Sequence, residues 1–139
     1  MDSGYYFSMD IPGELPGLNE YINASKRHRG RNNAGNIMKQ QCQAYIAGFI
    51  PKEFMGMMID TPCTIMFTFY EKNMKRDPDN ISATAHKFIL DTLVQCRVLK
   101  NDGMKIVTAM LDDWIVDREN PRINVYLKAN TMDNVKGAV

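Results

Sequence analysis

Residues 61–103 read TPCTIMFTFYEKNMKRDPDNISATAHKFILDTLVQCRVLKNDG. In the first ten, Cys63, Ile65, Phe67 and Phe69 alternate with Thr64, Met66, Thr68 and Tyr70. That period of two, rich in β-branched and aromatic side chains, predicts a strand over 61–70. From Asn80 to Val94 the period changes. Asn80, Thr84, Lys87 and Asp91 fall within an arc of about 60° at helical spacing, while Ile81, Ala85, Phe88, Ile89 and Thr92 occupy a separate apolar face. A helix is predicted over 80–94. Asn101-Asp102-Gly103 reads as a turn, and alternation resumes from Met104 to Leu111. Strand, turn, helix, turn and strand therefore form the centre of the fold.

Tyr5 to Ile11 has strand-like aromatic content and stops at Pro12-Gly13, after which Leu15-Pro16-Gly17-Leu18-Asn19 reads as a turn-rich connection. Asn36 to Ile50 places Ile37, Cys42, Tyr45, Ile46 and Phe49 at mostly helical spacings and ends before Pro51, which predicts an amphipathic helix. Arg122 to Leu127 alternates as a last strand behind Glu119-Asn120-Pro121, and Asp112 to Asp117 reads as a strand-end turn. The expected architecture is α+β, with element order β-α-β-α-β-β and helices packed on a small mixed sheet. A single domain spans 1–139, with a flexible tail from about residue 128.

The 139 residues, 45% of them apolar, suffice for a core that needs neither disulfides nor a structural metal. Cys42, Cys63 and Cys96 are widely spaced and the only histidines are His28 and His86, which argues against most zinc frameworks and for reduced thiols in a cytoplasm. Apolar runs are far shorter than a bilayer requires, and the start MDSGYYF lacks a secretory pattern, so no membrane association is expected. The balance of 17 Lys+Arg against 16 Asp+Glu hides a local excess. Tyr21 to Lys52 holds Lys26, Arg27, Arg29, Arg31, Lys39 and Lys52 and no acid. Lys26 to Arg31, followed by Asn32, Asn33, Ala34 and Gly35, reads as a basic loop, either simply solvated or contacting phosphates.

Asp77 and Asp79 flank a proline, which disfavours helix at Asp77 and projects both carboxylates from a tight turn at a helix N-terminus. One reading is an N-capping turn, since Asp, Asn and Pro are all favoured there. The other is a divalent-cation site, because an ion turns the repulsion between neighbouring carboxylates into binding energy. An EF-hand is ruled out by Ser82 and Phe88 at the sixth and twelfth loop positions. Asp102, in the turn after the helix, is expected to return to the same sheet edge and join Asp77 and Asp79.

Arg76-Asp77-Pro78-Asp79-Asn80, then Lys87 to Leu93 (KFILDTL), then Val98-Leu99-Lys100-Asn101-Asp102 resemble the RusA-like Holliday junction resolvases of phages and prophages. That family's pattern is a D-x-D-N turn, a helix bearing K-x-x-x-D-x-L, and a further Asp about eleven residues on. Leu15 to Asn19 followed by a basic segment looks like its N-terminal region, so the resemblance covers roughly residues 5–128. The most familiar form places the lysine three residues after the Asn. Here Asn80 to Lys87 is seven, a shift of about one helical turn.

The resemblance implies a metal-dependent endodeoxyribonuclease in the cytoplasm of a bacterial host, acting in DNA recombination and repair on four-way junctions as a homodimer. Asp77, Asp79 and Asp102 would hold Mg²⁺, with Mn²⁺ as a substitute. Lys87 would complete the catalytic set, with Asn80 and Asp91 in support. Lys26, Arg27, Arg29, Arg31, Lys39, Lys75 and Arg76 are the expected DNA contacts. Two symmetric cuts require two sites about a twofold axis. The alternatives are a nuclease for other branched or single-stranded DNA, and a junction-binding protein without catalysis.

Overall fold

The computed structural model describes residues 6–27 and 33–130. Strand β1 (Tyr6–Pro12) is followed by helices α1 (Leu18–Arg27) and α2 (Ala34–Ala47) and a single 3₁₀ turn (Lys52–Phe54). Strand β2 (Cys63–Glu71), helix α3 (Pro78–Gln95) and strands β3 (Val107–Val116) and β4 (Arg122–Ala129) complete the chain. The four strands form one mixed sheet in the order β1-β4-β2-β3, antiparallel throughout except for the parallel pair β2/β3. No helix among the described residues is long and apolar enough to cross a membrane.

Alternation in β2 becomes alternation in burial: Cys63, Ile65, Phe67, Phe69 and Glu71 point inward, and the residues between them are half-exposed. Phe7, Met9 and Ile11 of β1 and Ile123, Val125 and Leu127 of β4 continue that inner face. Against it lies the apolar face of α3, with Ile81, Ala85, Phe88, Ile89 and Leu93 in one cluster with the strand residues. The Tyr21 ring meets Phe88 edge-on at 5.3 Å, which seats α1 on the same layer.

Helix α3 starts as its sequence requires. Asp77 is extended (φ −74°, ψ 151°), the conformation forced on a residue before proline, and Pro78 takes the first helical position. The helix ends in a Schellman motif, with Val98 N–H donating to Leu93 C=O (2.9 Å) and Arg97 N–H to Val94 C=O (3.0 Å). Arg97 takes the left-handed conformation (φ 59°) that the motif demands. Val98 and Leu99 then pair with Ile59 below the start of β2.

Four expectations are corrected. The element order is β-α-α-β-α-β-β, because Leu18–Arg27 is a helix where a turn-rich connection and basic loop were expected. Its buried side is only Ala24, with Leu18 and Tyr21 half-buried, so the apolar signal was faint. Lys26 and Arg27 therefore end α1, whereas Arg29 and Arg31 lie outside the described residues. Asn33, read as loop, caps α2: its Oδ1 accepts from Asn36 N–H at 2.7 Å. Strand β3 runs on to Val116, so Asp112 to Val116 is strand, not a turn. Its alternation fails because it is a sheet edge exposed on both faces, and Asp112 is satisfied by His86 Nε2 at 2.7 Å. At the C-terminus Lys128 and Ala129 belong to β4, and the rest of the expected tail, 131–139, lies outside the described residues.

Candidate active site

The acidic turn stands at the C-terminal end of β2, on a base clamped from below. Arg76 makes a two-pronged ion pair with Glu71, Nε to Oε1 at 3.0 Å and Nη2 to Oε2 at 2.8 Å, and its Nη1 donates to Leu15 C=O at 2.8 Å. Glu71 is only 6% exposed. Burial alone would lower the Arg76 pKa, but the hydrogen bond and charge of Glu71, with Glu14 and Glu20 behind it, reverse this and hold the guanidinium above its ordinary value. Arg76, expected to contact DNA, is therefore committed to the fold.

The segment Leu15 to Asn19 is tied to α3 at three points. Besides the Arg76 bond, Thr84 Oγ1 donates to Pro16 C=O at 2.6 Å, and Asn19 N–H donates to Asn80 Oδ1 at 2.9 Å. Gly17 lies so close that a Cβ there would sit 2.5 Å from Asn80 Nδ2, which accounts for glycine at this point of the loop. Asn80 thus anchors the loop that braces the turn. Two motifs 61 residues apart in the chain form one unit.

Above this base Asp77 and Asp79 are exposed, and neither carboxylate has an ion-pair or hydrogen-bond partner among the described residues. An open cleft of about 460 Å³ on the preceding segment is lined by Glu14, Glu20, Lys72, Lys75 and Arg76, and by neither Asp77 nor Asp79. A second crevice of about 250 Å³ lies between the start of α3 and the end of β3, walled by Met74, Pro78, Ile81, Trp114 and Val116 over the Glu71–Arg76 pair. Lys72 and Glu14 escaped the sequence reading. The Lys72-x-x-Lys75 spacing was the available signal for the first, and nothing local marks Glu14, whose Oε2 accepts from Lys72 N–H at 2.8 Å only through the fold.

The other expected site residues stand elsewhere. Asp102 is exposed one turn before β3, where Gly103 C=O accepts from Ile106 and Val107 N–H. Because β2 and β3 are parallel, α3 must run the length of the sheet between them, and its 18 residues span about 27 Å. Asp102 therefore lies at the opposite end of the sheet from Asp77 and Asp79 within one protomer. The expectation that the second turn returns to the same edge fails because that holds for antiparallel neighbours only. Lys87 is eight residues beyond Asp79, about 12 Å along the axis. It is exposed, 4.0 Å from Asp91, which also binds Lys39 at 2.9 Å. Lys39, Lys87 and Asp91 make a cluster on the outer side of α2 and α3, apart from the acidic turn.

Among the described residues no three His, Cys, Asp or Glu side chains come together closely enough to hold a metal. The turn itself offers two unpartnered carboxylates, and such a pair suits Mg²⁺, which is commonly bound by one or two carboxylates with substrate phosphates and water completing its shell. The chain matches no protein-family model and no curated protein sequence.

Proposed function

We propose that the protein is a metal-dependent endodeoxyribonuclease of RusA-like type that cuts four-way DNA junctions. The observation that carries the reading is the pair Asp77 and Asp79, exposed and unpartnered at the start of a long helix, on a turn immobilised by Arg76, Glu71 and the Leu15 to Asn19 loop. Two neighbouring exposed carboxylates that make no bond among the described residues are open to a cation, which would bind them together. The residues fit Mg²⁺, or Mn²⁺ in its place, and the bound ion would supply a more acidic water and charge neutralisation at the phosphate. Asp77 and Asp79 would hold that ion. Lys72 and Lys75, in the adjoining cleft, draw the phosphate backbone toward the turn and offset charge that develops on it. Lys87 is too far along α3 to reach the same phosphate, so its part is backbone contact beside Lys39 and Asp91.

The test is nicking of a synthetic four-way junction beside flaps, forks and linear duplex, in Mg²⁺ or Mn²⁺. Asp79→Asn should keep junction affinity and lower nicking by roughly 10²–10³-fold, the usual cost of losing one charge-stabilising group. Greater cutting of flaps than of junctions would move the substrate to other branched DNA. The separation of Asp102 from the acidic turn favours a second reading, a junction-binding protein without catalysis. Junction binding with no nicking under any metal would select it.

A further inference from the structure

We infer that the crevice between the start of α3 and the end of β3 seats one unstacked base of the DNA, with the indole of Trp114 as its stacking surface. That DNA is the ligand rests on the nuclease reading; that the crevice takes a flat ring does not. The aromatic surface is rigid. Trp114 lies opposite Phe69 in the parallel pairing of β2 and β3, and the two rings stack at 5.9 Å with 15° between their planes. Phe69 in turn stacks on Phe67 at 6.1 Å and 12°, and both phenylalanines are buried. With one face of the indole laid on that ladder, the exposed 39% of Trp114 belongs to its other face and its edge, where it lines the crevice. A base placed there adds one more ring to an existing stack.

The lining favours a neutral flat group that carries an anion beside it. At about 250 Å³ the crevice is smaller than sites for drug-sized ligands, which begin near roughly 300 Å³, so one ring system fills it. Its sides are apolar, from Met74, Ile81 and Val116, and the charges at its floor are already satisfied. Every Arg76 nitrogen donates, two to Glu71 and one to Leu15 C=O. A neutral ring suits that floor better than a free ion does, because the ion pair cancels its own charge. Asn73 Oδ1 accepts from Lys75 N–H at 3.0 Å, and its Nδ2 has no acceptor among the described residues, so a donor remains for the edge of the ring. Asn73 and Arg76 also line the cleft that holds Lys72 and Lys75. The two recesses therefore meet along 73–76, one fitted to a base and the other to its phosphate. Pro78, between Asp77 and Asp79, walls the crevice too, so a seated base belongs to a nucleotide at the acidic turn. Unstacking costs least where pairing is already interrupted, as at a branch point.

Trp114 is the only tryptophan in the chain, so its emission reports this crevice alone. Titration of the unmodified chain with a synthetic four-way junction in EDTA, where no cutting occurs, should quench most of that emission in step with the anisotropy of the labelled junction. Trp114→Ala should lower junction affinity by roughly 5- to 150-fold, the usual loss of one base–aromatic stack, and Trp114→Phe should keep most of it. Junctions with one abasic nucleotide, stepped across the crossover, should include one that restores the emission and binds Trp114→Ala and the unmodified chain alike. Emission that stays unchanged while the junction binds overturns the base seat, and needs no variant to read. Equal weakening of Trp114→Ala on the intact and on every abasic junction makes Trp114 a structural residue and overturns it as well. Nicking with unquenched emission removes the seat and leaves the nuclease reading standing. Quenching without nicking under any metal supports the seat and overturns the nuclease reading, and a chain that binds no DNA overturns both.

Discussion

Arg76 carries more of the local structure than any other side chain at the acidic turn. It neutralises a carboxylate that is nearly buried, and it holds the N-terminal loop through Leu15 C=O. Arg76→Ala strands the Glu71 charge and should lower unfolding free energy by about 3 kcal/mol. The joint replacement Arg76→Met with Glu71→Met should cost much less, and urea denaturation of the two single variants and the double variant measures the difference. Cys63 behaves in the opposite sense, as a group kept neutral. Burial pushes its thiol up to about 11, so roughly one molecule in a thousand carries the thiolate at pH 8. Because ionisation is easier in the unfolded chain, folding stability should fall once pH rises past the ordinary thiol value near 9.0 and keep falling up to about 11. Alkylation of Cys63 at pH 8 should accordingly be slow in the folded protein and fast in urea, as peptide mass spectrometry after timed quenching would read.

Helix α3 positions everything at both ends of the sheet, and its C-terminal cap is imperfect. Arg97 occupies the left-handed position that glycine fills without steric cost, while Val98 and Leu93, both wholly buried, make the apolar contact that completes the motif. Arg97→Gly should therefore stabilise the protein by about 1 kcal/mol, less whatever the unfolded chain gains in freedom. A rise in thermal midpoint without change in junction binding is the expected result. At the other end, Asp77 makes no side-chain capping bond, so its carboxylate is free for other work. That combination, a proline-started helix whose first residues point acids outward, separates this turn from an ordinary capping turn.

Over the whole molecule the charges are distributed unevenly although their sum is +1. Among the described residues Arg76 is sequestered and Lys39 is paired with Asp91, which leaves Lys72 and Lys75 in the cleft, Lys26 exposed at the end of α1 and Lys87 exposed on α3. On the proposed function, junction affinity should fall with salt, and the variant Lys72→Ala with Lys75→Ala should reduce the slope of log affinity against log salt by about 2, near 0.9 for each phosphate no longer neutralised. Arg76→Lys should leave that slope unchanged while lowering stability, because lysine cannot reproduce the two-pronged bond to Glu71. Fluorescence anisotropy at several salt concentrations separates the two effects.

Local patterns were enough for β2, α3 and β4, since a period of two or of 3.6 is imposed by the backbone on any strand or helix with one buried face. The turn at Asp77 and Asp79 was equally plain, because proline restricts itself and its neighbour whatever surrounds them. Helix α1 and the full length of β3 were not, since each buries too little apolar surface to leave a period in the residues. The direction of β3 relative to β2 was beyond any local pattern, and it is what sends Asp102 to the far end of the sheet. Strand pairing is a long-range choice made by the packing of the whole core, so which side chains meet in space follows from the assembled sheet, whereas which segments are strand or helix follows from their own spacing.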